Sequence, residues 1–84
     1  MKFTVAWAPI AERKLAELWL AAPDREAVAS DSDLIDQQLA EKPHLVGESR
    51  GVGQRLLIES PLAVLFEVQM QDRYVLVRAV WRCN

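Results

Sequence analysis

The segment LAVLFEVQMQDRYVLVRAVWR, residues 62–82, contains two runs of alternating apolar side chains with a polar break between them. Even positions from Leu62 to Met70 are apolar in the first run, and odd positions from Val75 to Trp81 are apolar in the second. An apolar period of two residues is typical of strands that bury one face. The segment therefore predicts an antiparallel β-hairpin that turns at the polar break.

The hairpin also predicts which side chains share a face of the sheet. Directly opposed residues of an antiparallel pair lie on the same face, so joining even positions to odd positions requires a loop with an even number of residues. A loop of residues 71–72 places Arg78 opposite Leu65, and a loop of residues 71–74 places it opposite Glu67. In both registers Arg78 lies on the face away from the most apolar side chains.

Upstream of the hairpin, the pattern predicts one strand and two helices. Residues 2–7 alternate as a strand, and Pro9 opens an amphipathic helix. Asp24 predicts the N-cap of a second helix that ends near Glu41. The acidic stretch Asp31–Asp33 interrupts the apolar stripe of this helix, and we interpret it as a solvated bend rather than as a contact to a basic partner.

The remaining segment completes the order β-α-α-β-β-β in a single domain, residues 1–84. Residues 42–53 contain all three glycines and predict a loop, and residues 55–58 predict a short strand. Strands that are segregated from helices predict an α+β fold, with the helical hairpin on one face of an antiparallel sheet. Because each helix has a single apolar stripe, the other face of the sheet is expected to stay uncovered.

By composition the chain is an ordinary globular domain. Its 84 residues are 51% hydrophobic and 26% charged, and the net charge is −2. No apolar run approaches the roughly 18 residues that a membrane helix needs, so we expect a cytoplasmic protein without membrane contact. Cys83 is the one cysteine, which excludes an internal disulfide, and no cluster has metal-ligand spacing. We expect no metal and no cofactor.

Every positive charge in residues 50–84 belongs to an arginine, whose planar guanidinium binds phosphate with two parallel hydrogen bonds. The uncovered face of the predicted sheet combines arginines with one carboxylate and apolar side chains. An apolar patch rimmed by charge is typical of a binding site; the alternative is a face covered by the termini or by a second copy of the chain. The residues expected there are Arg50, Arg55, Arg78, Arg82, Glu67, Leu57, Leu65, Leu76 and Val80.

Two other features have ordinary structural interpretations. His44 is the only histidine, and although a histidine can act as a general base, we interpret it as a surface residue of the loop. Gly47, Gly51 and Gly53 lack the spacing of a phosphate-binding loop, and no Lys-Ser or Lys-Thr pair follows them. We interpret these glycines as turn residues.

A set of mostly structural positions is spread over nearly the whole chain. They are Trp7 and Pro9, Leu15-x-x-Leu18-Trp19, Ala27 and Ile35, Leu39-x-x-x-Pro43, Gly47, Gly53-x-Arg55-x-Leu57, Val64-Leu65-Phe66-Glu67-Val68 and Val75-x-Val77-x-x-Val80. In this order and spacing they resemble the RelE/ParE superfamily of bacterial type II toxins. Because most of these positions are structural, the resemblance bears on the fold more than on the activity.

The resemblance implies a toxin that is neutralised by a cognate antitoxin, whose C-terminal segment wraps around it. One branch of the family enters the ribosomal A site and cleaves messenger RNA, using basic residues on the concave sheet face. The other branch poisons DNA gyrase and has no hydrolytic chemistry of its own. Arg55 and Arg82 match basic positions of the family, whereas Ala63 stands where the ribonuclease branch commonly has arginine and Leu57 replaces a second basic residue.

These departures favour a growth inhibitor without nuclease chemistry, of the gyrase-directed kind. The first alternative is a ribosome-dependent endoribonuclease that uses Arg55, Arg78, Arg82 and Glu67, and the second is an inactive module that only binds a partner protein. Attack by a ribose 2′-hydroxyl needs a base, a phosphate clamp and an acid, so enzymatic activity depends on what the uncovered face carries. We expect the helical-hairpin groove and the uncovered face to receive the antitoxin.

Overall fold

In the computed structural model, which describes residues 2–83, two helices and five strands follow one another along the chain. They are β1 (Thr4–Trp7), α1 (Pro9–Ala21), α2 (Arg25–Glu41), β2 (Glu48–Gly51), β3 (Gln54–Glu59), β4 (Leu62–Gln69) and β5 (Tyr74–Arg82). The predicted α+β fold, with both helices on one face of a sheet, is confirmed. Neither helix of the described residues is long and apolar enough to cross a membrane.

The sheet has the strand order β1-β5-β4-β3-β2 and differs from the predicted antiparallel sheet in two respects. β1 pairs with β5 in parallel, which a chain can do only after a long crossover connection, and here the crossover includes both helices. β2 lies inside the stretch predicted to be a loop. Its side chains are all exposed, so no apolar alternation marks it in the sequence.

The core lies between the helices and one face of the sheet. α2 supplies Val28, Ile35 and Leu39, which are at most 1% exposed, and they pack against fully buried side chains of the sheet that include Val64 and Phe66. Burying a side chain of this size contributes about 1.5–3 kcal/mol. We call the face that carries Val64 and Phe66 the helix face, and the opposite face, which carries Leu65 and Glu67, the open face.

The hairpin loop is residues 70–73, between the end of β4 and the start of β5. Its length is even, as predicted, although it begins one residue earlier than the longer predicted loop. Val75 and Val77 are consequently opposite Val68 and Phe66 and fully buried on the helix face. The first half of β5 therefore follows the predicted parity.

A β-bulge at Arg78 reverses this parity from Ala79 onward. Phe66 is opposite Val77, but Leu65 is opposite Ala79, so Arg78 is an extra residue that no β4 residue opposes. The prediction that odd positions of this strand face the helices is wrong beyond the bulge. Even-numbered residues occupy the helix face there, and the odd-numbered Ala79 and Trp81 lie on the open face.

α2 is held to the sheet by polar contacts as well as by its apolar stripe. Trp7 Nε1 donates to Asp36 Oδ1 at 2.8 Å, and Asp31 Oδ2 accepts from the backbone N–H of Leu62 at 3.2 Å. The predicted solvated bend is wrong, because α2 is unbroken from Arg25 to Glu41 and Asp31 is only 7% exposed. Its carboxylate satisfies a backbone donor at the start of β4.

Replacing Asp31 with Asn is expected to increase the free energy of unfolding at pH 7. Burial raises the pKa of the Asp31 carboxyl above its ordinary value of 3.8, and the Glu59 carboxylate adds to this effect. A native pKa above the unfolded one means that stability falls as the pH rises through the native pKa. Asn keeps the oxygen acceptor without the charge, so its advantage in urea unfolding should vanish below about pH 3.8.

The Asp31→Ala variant is the matched control for this prediction. It removes the charge and also leaves the Leu62 N–H buried without an acceptor, which costs about 1–3 kcal/mol. An Asn variant that is less stable than the wild type at pH 7 would show that the charged form of Asp31 supports the fold.

Candidate functional site

The centre of the open face is the candidate site, and strand register determines which side chains it carries. It is apolar except for one ion pair. Its residues are Leu56, Ile58, Ala63, Leu65, Leu76, Ala79 and Trp81, together with Glu67 and Arg78. Ile58 is 57% exposed and Trp81 is 38% exposed. An exposed patch of this composition is typical of a surface that contacts a partner.

The charges at this centre neutralise each other. Arg78 Nη1 lies 2.6 Å from Glu67 Oε2, and Gln54 Nε2 donates to the same oxygen at 3.5 Å. Arg78, Glu67 and Leu65 thus lie on the open face, as predicted. Because the Arg78 side chain is about half exposed, the pair adds little to stability. The pairing also means that the residues at the centre of the open face include no unpaired cation.

Arg82 lies on the helix face, which corrects the prediction that it joins Arg78 on the open face. The bulge places it opposite Leu62. Its Nη1 and Nη2 atoms donate to Asp24 Oδ1 and Oδ2 at 3.0 and 2.9 Å. Asp24 is the N-cap residue of α2, as predicted, but its side chain makes no capping hydrogen bond and binds Arg82 instead. The last strand is therefore fastened to the start of α2.

The Asp24–Arg82 pair predicts a pH dependence. The hydrogen bond from Arg82 lowers the pKa of Asp24 below its ordinary value of 3.8. The stabilisation is therefore complete above about pH 3.8 and is lost as the pH falls through the lower native pKa. Asp24→Asn should lower the melting temperature at pH 7. In acid, where wild type also loses the ion pair, the melting temperatures of variant and wild type should become more similar. A difference that is independent of pH would contradict this account.

Arg55 also lies on the helix face, opposite Phe66, so its predicted place on the open face is wrong. Arg55 alternates with Leu56 and Ile58 in β3, as predicted. Arg55 shares its face with Leu57, however, and Leu57 faces the core, so both lie on the helix face. Its Nε and Nη2 atoms donate to the carbonyl oxygens of Val46 and Gly47 at 2.8 and 3.1 Å. Arg55 thus anchors the preceding loop to the sheet.

Three further residues expected on the open face lie elsewhere. Leu57 and Val80 are 7% and 4% exposed and belong to the core, because β3 parity and the β5 bulge turn them toward the helices. The position of Leu57 therefore cannot present a basic side chain to the open face. Arg50 lies on the edge strand β2, where it forms an exposed ion pair with Glu48 at 3.4 Å.

Trp81 and Ile58 are the exposed apolar residues of the site that the sequence pattern did not predict. Trp81 was expected on the helix face because it continues the odd-numbered series of β5. Val80 and Trp81 are adjacent apolar residues, but so are residues 75–77, so no sequence signal marks the bulge. Ile58 alternates with Leu57, and only the pairing with β4 shows which of the two is buried.

A second apolar concavity lies between α1 and α2. Its volume is about 370 Å³, and Leu15, Trp19 and Val28 contribute to its lining. The Arg25 guanidinium stacks over the Trp19 ring, 4.8 Å from the ring centroid, which holds the indole at the edge of the groove. This helical-hairpin groove has the form that an amphipathic helix of a partner can fill.

No protein-family model matches the chain, and no curated protein matches it either. Solved structures do. A chain of the toxin–antitoxin complex RelBE2 from Mycobacterium tuberculosis is 20% identical with a TM-score of 0.78, over 98% of this chain and 92% of that one.

Two further structures have a TM-score of 0.71 over 98% of this chain. The isolated E. coli RelE toxin is 16% identical, with 85% of its chain covered. A chain of the chromosomal ParDE system from P. aeruginosa is 17% identical, with 97% covered. The resemblance seen in the sequence is thus confirmed at the level of structure, and this chain has the RelE/ParE-like fold.

Proposed function

We propose that the chain is the toxin of a type II toxin–antitoxin pair and that it stops growth by binding a protein target, without cleaving RNA. Its fold is shared with RelE, a toxin, and with the RelBE2 and ParDE toxin–antitoxin systems. Among targets of such toxins, DNA gyrase fits a non-nucleolytic mechanism, and the ribosome is the alternative. The expected compartment is the cytoplasm.

The composition of the open face is the observation that carries this choice. Binding RNA through its backbone needs several cations that are available for phosphate contacts, and a ribonuclease also needs a base and an acid. At the centre of this face Arg78 is paired with Glu67, and Ala63 is fully buried beside Ile58 and Trp81. These features support apolar contact with a protein rather than a phosphate clamp.

We expect the antitoxin to bind the helical-hairpin groove and to cover the open face. A helix of the antitoxin would place apolar side chains between Leu15, Trp19 and Val28, and the following segment would bury Ile58 and Trp81. Occupation of the open face would then block the target, which explains neutralisation without any change in the toxin fold. The partner gene is expected to encode a DNA-binding head and a long tail.

The proposal is tested by inducible expression in a bacterial host, alone and together with the product of the neighbouring short reading frame. We expect growth arrest on induction, recovery on co-expression, and linear plasmid DNA covalently held by gyrase in the arrested cells. Growth that continues normally would instead identify an inactive binding module. Arrest without trapped gyrase but with cleaved transcripts would favour the ribonuclease.

A further inference from the structure

A third concave site lies where the loop of residues 42–47 and the β2–β3 turn meet the sheet. It is a cleft of about 170 Å³, separate from the centre of the open face and from the helical-hairpin groove. Its polar lining comes from four side chains, those of His44, Ser49, Gln54 and Arg55, and its apolar lining comes from Val68 and Met70. Ligand sites combine a mainly apolar wall with a few converging polar groups in this way.

The charge of this cleft differs from that of the chain as a whole. The chain has 12 acidic residues against 10 Lys and Arg, yet no acidic side chain lines the cleft, and Arg55 does. Glu48 is adjacent on β2, but its carboxylate is paired with Arg50. The cleft is therefore suited to an anion.

The Arg55 guanidinium is already oriented for such a ligand. Its bonds to the carbonyl oxygens of Val46 and Gly47 fix the plane of the group. Within residues 2–83, no hydrogen bond is made by its remaining terminal nitrogen, Nη1. A guanidinium that is held in place by the protein loses little conformational entropy when it binds an anion.

His44 and Ser49 add hydrogen-bonding groups to the same cleft. The His44 ring packs against the Phe3 ring, with 6.0 Å between the two centroids. The Arg73 guanidinium lies over the same Phe3 ring, 6.0 Å from its centroid. In the part of the chain that is described, the imidazole nitrogens make no hydrogen bond. The Ser49 hydroxyl makes one long contact, 3.5 Å to the carbonyl oxygen of Gly51.

We propose that this cleft binds one nucleotide through its phosphate. Arg55 Nη1, the His44 imidazole and the Ser49 hydroxyl contact the phosphate oxygens, and Val68 and Met70 contact the sugar or the base. The volume is smaller than that of pockets for drug-sized ligands, roughly 300–1,000 Å³, so the cleft takes the phosphate and the sugar and leaves most of the base at its mouth. The open face is not needed for this binding, so the proposal stands or falls independently of the proposed toxin activity.

The test is a titration of isotope-labelled protein with adenosine 5′-monophosphate, adenosine or inorganic phosphate, followed by NMR. The monophosphate is expected to cause saturable shifts in residues 44–55 with a Kd of about 1 mM, in the range of a small ligand. Phosphate should shift the same residues more weakly, and adenosine should leave them unchanged. His44→Ala and Ser49→Ala should each weaken binding by about five-fold or more, because each removes a phosphate contact.

Arg13→Gln is the matched control, because it removes an exposed guanidinium from α1, which contributes no residue to the cleft, and should leave the Kd unchanged. Both His44 and Ser49 are exposed, so their replacement is expected to preserve the fold. Any of three results would overturn the proposal. They are no saturable shifts with the monophosphate, the same Kd for wild type and the two cleft variants, and shifts with adenosine as large as those with the monophosphate. Inorganic phosphate that binds as tightly as the monophosphate would overturn the assignment of a nucleotide.

Discussion

Replacement of Gly47 with alanine is expected to destabilise the protein by about 3 kcal/mol, because it combines backbone strain with a collision. Gly47 has a φ of 71°, a conformation that glycine adopts freely and other residues do not. An added Cβ would also collide with the backbone carbonyl oxygen of Leu56. In a domain of this size the melting temperature should fall by roughly 12 °C or more, as measured by calorimetry.

Gly53→Ala provides the matched control for the collision. Gly53 has nearly the same φ, 73°, but the nearest atom to a Cβ built there is the carbonyl oxygen of Val68 at 3.7 Å, an ordinary van der Waals distance. Its replacement should therefore cost only the backbone strain, about 1–2 kcal/mol. Equal losses for the two variants would mean that the close approach of Gly47 to β3 does not restrict this loop.

The second large effect is expected on growth inhibition. Ile58→Asp introduces a charge at the centre of the open face, where the side chain is 57% exposed, so folding should change by less than about 1 kcal/mol. An unpaired charge at an apolar interface costs several kcal/mol when it is desolvated. We therefore expect that the variant needs at least about 100-fold more inducer than wild type to stop growth.

The control for this effect is Val52→Asp, which introduces the same charge at the fully exposed β2–β3 turn. Val52 is outside the centre of the open face, so this variant should remain toxic. The fold of both variants can be compared by circular dichroism. If Ile58→Asp is folded and as toxic as wild type, the open face is not the surface that contacts the target.

The sequence predicted the helices and the central hairpin because their signals are local. Apolar residues such as Val28, Ile35 and Leu39 recur at helical spacing, and the even positions of β4 alternate without interruption. The three helix residues are at most 1% exposed, and Leu62, Val64 and Phe66 are fully buried, so pattern and packing agree. The same reasoning missed β2, whose exposed residues carry no apolar pattern, and it gave no sign of the parallel pairing between β1 and β5.

The candidate site was predicted less well than the fold, because its residues depend on register. One extra residue at Arg78 reverses the faces of Val80, Trp81 and Arg82, and a periodicity of two cannot show where such an insertion lies. Alternation gave two possible parities for β3, and only the pairing with β4 shows that Arg55 belongs to the helix face. The open face consequently has fewer arginines and more apolar surface than expected.

The local sequence pattern also did not predict polar contacts between residues that are far apart in the sequence. Asp24 and Arg82 are 58 positions apart, and Asp31 and Leu62 are 31 apart. In the sequence both aspartates have an adequate local explanation, as a helix cap and as part of a solvated bend. The tertiary structure uses their carboxylates instead to bind an arginine and a backbone N–H of the sheet.

The most direct test of the central claim is to map transcript 5′ ends in cells that express wild type, Arg78→Ala or Ile58→Asp. A toxin that acts by apolar contact should stop growth without new 5′ ends, and Arg78→Ala should remain toxic while Ile58→Asp does not. New 5′ ends that appear on induction of wild type and disappear with Arg78→Ala would contradict the account. They would mean that the guanidinium of the open face acts on RNA.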